Sequence, residues 1–287
     1  MEHSTVAWAH DGIPLAVTVT GDDGPSLLMI PGLGSTRHAF APIVPLLAKR
    51  LRVAVYDPRG VGESGVSPRP YTMSQLAGDA AAVLDALGWE RVAVFGASMG
   101  GMVAQWVAID HPVRVWRLVL ACTGPGASHA VPADRGATRA LLGKGARTPE
   151  EAYRMATSVM YEPRWARSHR DFLEGEIAYR AAHPIRGQAF SAQYEAVKGH
   201  DSWDLLPGIA APTLVIHGTE DAVMPAGNGR LLAERIPGAR WLPLEGRGHM
   251  FFHEDPEAAA AAIVDFLFGQ PVGEQVSSPS RSQTSPG

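Results

Sequence analysis

One stretch of the chain dictates most of what it can fold into. Phe95-Gly96-Ala97-Ser98-Met99-Gly100-Gly101 carries the pattern Gly-x-Ser-x-Gly between two apolar runs. The run before it, Arg91-Val92-Ala93-Val94-Phe95, is short and rich in valine, and predicts a buried strand. The run after it, Met102 to Ile109, predicts a helix packed on several sides. Strand, glycine-flanked serine and helix form the context in which this motif holds a nucleophile on a sharp turn. The glycines matter because a serine at the tip of such a turn has a strained backbone, and neighbours without Cβ allow close approach. The helix start aims its free N–H groups at whatever gathers over Ser98. The same residues without further partners would be an ordinary βα turn. A base and an acid must therefore come from elsewhere in the chain.

The composition permits this. At 287 residues and 46% hydrophobic content, the chain can bury the core of one α/β domain that carries an insertion. A net charge of −4 gives no sign of a nucleic-acid or acidic-surface partner. The single cysteine, Cys122, excludes an internal disulfide and any cysteine-cluster metal site. It follows Leu118-Val119-Leu120-Ala121 and is expected as a buried thiol at a strand end. Met1-Glu2-His3-Ser4 opens no basic-then-apolar leader, and no run approaches the ~20 apolar residues that cross a bilayer. These features predict a cytoplasmic protein with no membrane or nucleic-acid partner. No sequence feature bears on its oligomeric state.

In order, Thr5–Ala9 and Leu15–Val19 around His10-Asp11-Gly12 predict a hairpin. Ser26–Ile30 is a continuous apolar strand and leads into Pro31-Gly32-Leu33-Gly34-Ser35. A helix is expected over His38–Ala48 and a strand over Arg52–Tyr56. Thr72-Met73-Ser74-Gln75 has capping-box spacing and opens a helix that stops at Gly88. Val115–Ala121 is another buried strand. Strands alternating with helices predict a mostly parallel sheet of eight strands flanked by helices. The alternation then breaks. From 124 to 206 no strand-like run appears, and Thr148-Pro149-Glu150-Glu151 is a strong helix start. Residues 124–206 are therefore expected to form a helical cap over a core made of 1–123 and 207–269. Cap residues such as Met160, Phe190 and Tyr194 should pack or line the pocket. Thr213–Ile216 and Arg240–Leu244 complete the strands, and Asp255 caps the final helix. The polar segment 270–287 is expected to be disordered.

A serine hydroxyl needs a base to take its proton and a carboxylate to orient that base. Ligands gather at the carboxyl ends of parallel strands, so the partners should lie in loops just after strands. Of eleven histidines, His217 and His249 follow strands in the second half. His217 is flush against its strand end and is expected to pack or bond locally. His249, in the glycine-rich loop Glu245-Gly246-Arg247-Gly248, can reach over Ser98. His253 is its less favoured neighbour. Asp221 follows the His217 strand and is the candidate acid, with Glu220 as competitor. Asp57 is expected to shape its own loop. The order Ser98, Asp221, His249 results.

With these residues in hand the chain, from Ser4 to Phe268, resembles the α/β-hydrolase superfamily. The resemblance rests on Pro31-Gly32-Leu33-Gly34, Asp57-Pro58-Arg59-Gly60-Val61-Gly62-Glu63-Ser64, Gly96-Ala97-Ser98-Met99-Gly100-Gly101, Gly218-Thr219-Glu220-Asp221 and Gly248-His249. It implies an α/β-hydrolase fold with Ser98 as nucleophile, His249 as base and then acid, and Asp221 as its orienting partner. The oxyanion hole would be the backbone N–H groups of Leu33 and Met99. Pro31 stands where many members have histidine. Epoxide hydrolases and haloalkane dehalogenases need a carboxylate where this chain has Ser98. The overall pattern is similar to bacterial esterases, enol-lactonases and cofactor-free haloperoxidase-type enzymes. It implies cleavage of a small-molecule ester or lactone under the cap, through an acyl-enzyme, with no metal or organic cofactor. Carbon–carbon, thioester or perhydrolase chemistry by the same triad, or a ligand-sensing receptor with little turnover, are the alternatives.

Overall fold

The structure, a computed structural model, describes residues 1–126 and 128–275. Its sheet begins with the expected hairpin, β1 (Glu2–Trp8) and β2 (Pro14–Thr20), paired antiparallel. After it come β3 (Ser26–Ile30), α1 (Val44–Leu47), β4 (Arg52–Tyr56), α2 (Met73–Ala86), β5 (Val92–Ala97), α3 (Met99–Asp110) and β6 (Val115–Ala121). Five helices then intervene: α4 (Arg135–Leu141), α5 (Pro149–Met160), α6 (Pro163–Ser168), α7 (Arg170–Ala182) and α8 (Gly187–Lys198). The alternation resumes with β7 (Thr213–Gly218), α9 (Gly227–Arg235), β8 (Arg240–Leu244), α10 (Phe251–Glu254), α11 (Pro256–Leu267) and the two-residue β9 (Glu274–Gln275). The strands form one sheet in the order β1-β2-β4-β3-β5-β6-β7-β8-β9. Neighbours from β4 to β8 run parallel. This brings the carboxyl ends of β3, β5, β6, β7 and β8 to one edge.

Strands β3 and β5 are buried along their whole length, as continuous apolar runs between two helical layers must be. One core cluster joins α2, α3 and α9 to one face of the sheet, and a second joins α1 and α11 to the other. Both reciprocal bonds of the predicted capping box are present at Thr72 and Gln75. Thr148 accepts from the Glu151 N–H at 3.1 Å and starts α5 as expected.

Two expectations are corrected. The helix expected over His38–Ala48 is broken into a 3₁₀ turn, Arg37–Phe40, and the short α1. Pro42 lies between them; it has no N–H to continue the ladder, and its ring would clash with the carbonyl four residues back. The tail from Gln270 also contributes structure. Glu274 and Gln275 pair with Trp241 and Arg240, adding a ninth strand to the predicted eight and covering an edge that would otherwise present unpaired backbone. Residues 276–287 of that predicted tail lie outside the described residues. No helix among the described residues is long and apolar enough to cross a membrane.

Candidate active site

Ser98 sits between the end of β5 and the first turn of α3, with φ 56° and ψ −121°. L-residues rarely adopt this region, so the turn must be held from outside. The Ser98 N–H donates to the Ala121 carbonyl at 2.9 Å, and Thr123 Oγ1 donates to the Ser98 carbonyl at 2.8 Å. The flanking glycines are required by packing. A Cβ on Gly100 would lie 2.0 Å from the Ile30 oxygen, and one on Gly96 would lie 2.2 Å from the Gly100 oxygen. Helix α3 can therefore press its start against β3 and present its first N–H at the sheet edge.

The loop after β3 approaches from the other side. A Cβ on Gly32 would be 3.2 Å from Ser98 Cβ. Residues 32–35 form a turn closed by the Ser35 N–H on the Gly32 carbonyl at 3.1 Å, with Gly34 at φ 65°. The Gly34 N–H donates to Gln193 Oε1 at 2.9 Å, and Gln193 Nε2 donates to the Arg59 carbonyl at 3.2 Å. Gln193 is fully buried on α8, so the helical insertion pins this turn directly. The N–H groups of Leu33 and Met99 have no hydrogen-bond partner among the described residues.

Asp221 and His249 meet across the loops after β7 and β8. His249 Nδ1 donates to Asp221 Oδ2 at 2.7 Å, which leaves Nε2 able to accept a proton. Asp221 Oδ1 accepts from the N–H groups of Val223 and Met224 at 2.9 and 2.8 Å. His217 is wholly buried, and its Nε2 lies 3.1 Å from Asp221 Oδ2 while donating to the Met224 carbonyl at 2.7 Å. Burial pushes the Asp221 carboxyl up, but the charges and hydrogen bonds of His249 and His217 outweigh it and hold the group at about 2. Asp221 is thus ionised at neutral pH. His253 lies apart, between the Tyr161 hydroxyl and the Ala39 carbonyl at 2.9 and 2.7 Å. Asp57 stays in its own loop, accepting from the N–H groups of Arg37 and Glu63 at 2.8 and 3.0 Å.

Ser98, His249, Leu33 and Met99 all line one cavity of about 180 Å3 at the carboxyl edge of the sheet, with Asp221 behind His249. Its other walls are largely apolar and include Phe40, Met102 and Phe252 from the core and Met160 and Tyr194 from the insertion. No hydrogen bond joins Ser98 Oγ to His249 among the described residues; such contacts commonly tighten only once substrate is bound. Among the described residues no group of three or more His, Cys, Asp or Glu side chains is arranged to hold a metal ion. Cys122 is buried as expected and also lines the cavity.

Three supporting side chains escaped the sequence reading. His217 was expected to bond locally, and it does, but it also reaches Asp221. Gln193 contacts loops more than 130 residues away, and no local pattern marks it. Glu254 accepts from the N–H groups of Gly248 and Glu162 at 3.0 and 2.7 Å, tying the His249 loop to the start of α6. Only the position of Glu254 just after the His249 loop could have hinted at it.

Residues 25–256 match the family described as the alpha/beta hydrolase fold. The chain is similar to a protein bearing the name carbamate hydrolase RutD from Azorhizobium caulinodans, 31% identical over 85% of this chain and 91% of the relative. It is also similar to a poly(3-hydroxyalkanoate) depolymerase from Ectopseudomonas oleovorans, 33% identical over 84% and 83% of the two chains. Among solved structures, the enol-lactonase from Burkholderia xenovorans superposes with a TM-score of 0.81 at 27% identity, covering 92% of this chain and 100% of that one.

Proposed function

This chain belongs to the alpha/beta-hydrolase fold family and is a hydrolase; from that premise we propose that it cleaves small-molecule carboxylic esters or lactones through an acyl-enzyme. One observation carries the reading. A strained serine, an imidazole already paired to an ionised carboxylate, and two unpaired backbone N–H groups border the same small cavity. These are the parts that acyl transfer needs. The relatives' names support it in kind: carbamate, polyester and lactone cleavage all begin with attack on an acyl carbonyl.

In this mechanism His249 Nε2 takes the proton of Ser98 Oγ as the oxygen attacks the carbonyl carbon. The Asp221 carboxylate holds Nδ1–H and so fixes the tautomer with a free Nε2. Charge moves to the carbonyl oxygen, which the N–H groups of Leu33 and Met99 receive; losing one such donor typically costs ~10²–10³ in turnover. The alcohol leaves with the proton from His249. Water, deprotonated by the same nitrogen, then releases the acid and restores Ser98.

The test is a panel of short-chain p-nitrophenyl esters, lactones, a carbamate and a thioester, run on the protein and on Ser98→Ala. Multiple turnover of an ester or lactone is expected, and it should vanish in Ser98→Ala while the circular dichroism spectrum stays the same. Undiminished turnover in Ser98→Ala would refute the role of the serine. Preference for the carbamate or thioester over every ester would reassign the bond that is cleaved.

A further inference from the structure

The cavity over Ser98 adjoins a second, larger chamber of about 260 Å3, and the two share Leu33, Leu141 and Met160 as walls. Apart from Leu33 and Gly34, every residue lining this chamber lies between 141 and 190, in the helical insertion. Its walls include Leu142, Ala156, Ile185 and Phe190. We propose that the chamber seats an uncharged hydrocarbon chain, so that the preferred substrates are esters with a medium-length apolar arm. This rests on Ser98 being the nucleophile.

Three observations support it. An apolar space of this kind takes up apolar groups in preference to water, which would find few polar partners there. Leu33 stands at the junction, and its own N–H is one of the two that face the reacting carbonyl. The chamber is thus the space next to the reacting carbonyl into which an attached chain would extend. The one charged lining residue, Arg180, does not make the chamber polar. It also borders a small polar cleft with Thr36, His38 and His183, and its charge is felt by Glu176, Tyr161 and His253. Its stem can face the chamber while its head serves the polar side. A carboxylate at the end of the chain would have to shed its water in the apolar part of the space.

The experiment measures kcat/KM in two series: p-nitrophenyl alkanoates from acetate to decanoate, which lengthen the acyl arm, and acetates of lengthening alcohols. In one series kcat/KM should rise by about fourfold per methylene over several methylenes, the value of burying each one. An ω-carboxylate on the chain should abolish the gain. Ala152→Phe, which fills the chamber, should cut the long-to-short selectivity ratio at least tenfold. Ile185→Ala, which enlarges it, should move the optimum to longer chains and covers the case in which the larger side chain prevents folding. Flat chain dependence in both series, with acetate esters still turned over, overturns the chamber and leaves the Ser98 reading standing. A preference for the ω-carboxylate also overturns it. No ester turnover, together with no fluorophosphonate labelling of Ser98, overturns both.

Discussion

At the scale of single residues, the site is built from groups held in states they would not adopt alone. Ser98 is kept at φ 56° by the Ala121 carbonyl and the Thr123 hydroxyl, against a cost of about 1–3 kcal/mol for such a conformation. Asp221 is buried, yet both of its oxygens are satisfied: Oδ1 accepts from the Val223 and Met224 N–H groups, and Oδ2 accepts from His249 Nδ1 with His217 Nε2 3.1 Å away. Asp221→Asn puts an amide opposite His249 Nδ1 and favours the wrong tautomer. Its kcat should fall by roughly 10³–10⁴ in steady-state assays of the ester that the protein prefers. The carboxyl also contributes stability with a defined pH window. Its folded pKa, about 2, lies below the ordinary 3.8, so the contribution is complete above 3.8 and is lost as pH falls toward 2. The stability gap between the protein and Asp221→Asn in urea should therefore narrow as pH falls from 3.8 toward 2. A gap that stays unchanged across that window would contradict the assignment.

At the scale of elements, the contact between α3 and β3 is what places Ser98 at the sheet edge, and Gly100 makes it possible. Gly100→Ala drives a Cβ into the Ile30 backbone, so it should destabilise by more than the ~0.5–3 kcal/mol usual for point changes, or prevent folding. Gly78, inside α2, has no neighbour within 4 Å of its Cβ position. Gly78→Ala should stabilise by up to about 1 kcal/mol, and paired urea titrations read both. The same contrast explains what was legible in the sequence. Features written within one turn could be read directly: the capping box at Thr72, the start at Thr148, the glycine pattern around Ser98. Asp221 and His249 were legible because parallel strands bring their ends together. His38–Ala48 misled because its apolar content suggests one helix while Pro42 forbids it. Gln193, the reach of His217 to Asp221, and the pairing of Glu274–Gln275 depend on how loops and helices settle in three dimensions. Nothing beside them in the chain announces it.

For the whole molecule, the insertion is fastened to the core by buried polar contacts, and these make stability depend on pH. His253 bridges Tyr161, just past α5, to Ala39 in the loop after β3, and burial lowers its pKa to about 4. His200, which accepts from the Trp106 indole at 3.1 Å, is likewise lowered by burial to about 4. For a histidine lowered from 6.5, the unfolded chain binds the proton first. Its neutral form thus stabilises fully above pH 6.5, and that stability drains away as pH falls toward 4, on the order of 3 kcal/mol per group. Stability in urea should decline across that window, and His253→Gln should make the decline shallower; an equal slope in the variant would count against it. The most direct measurement of the central claim is covalent. The intact protein is treated with a fluorophosphonate and the modified peptide is identified by mass spectrometry. The account predicts one adduct per chain, on Ser98, lost in Ser98→Ala and strongly slowed in His249→Ala. An adduct on another residue, or none on a protein whose circular dichroism spectrum reports it folded, would contradict it.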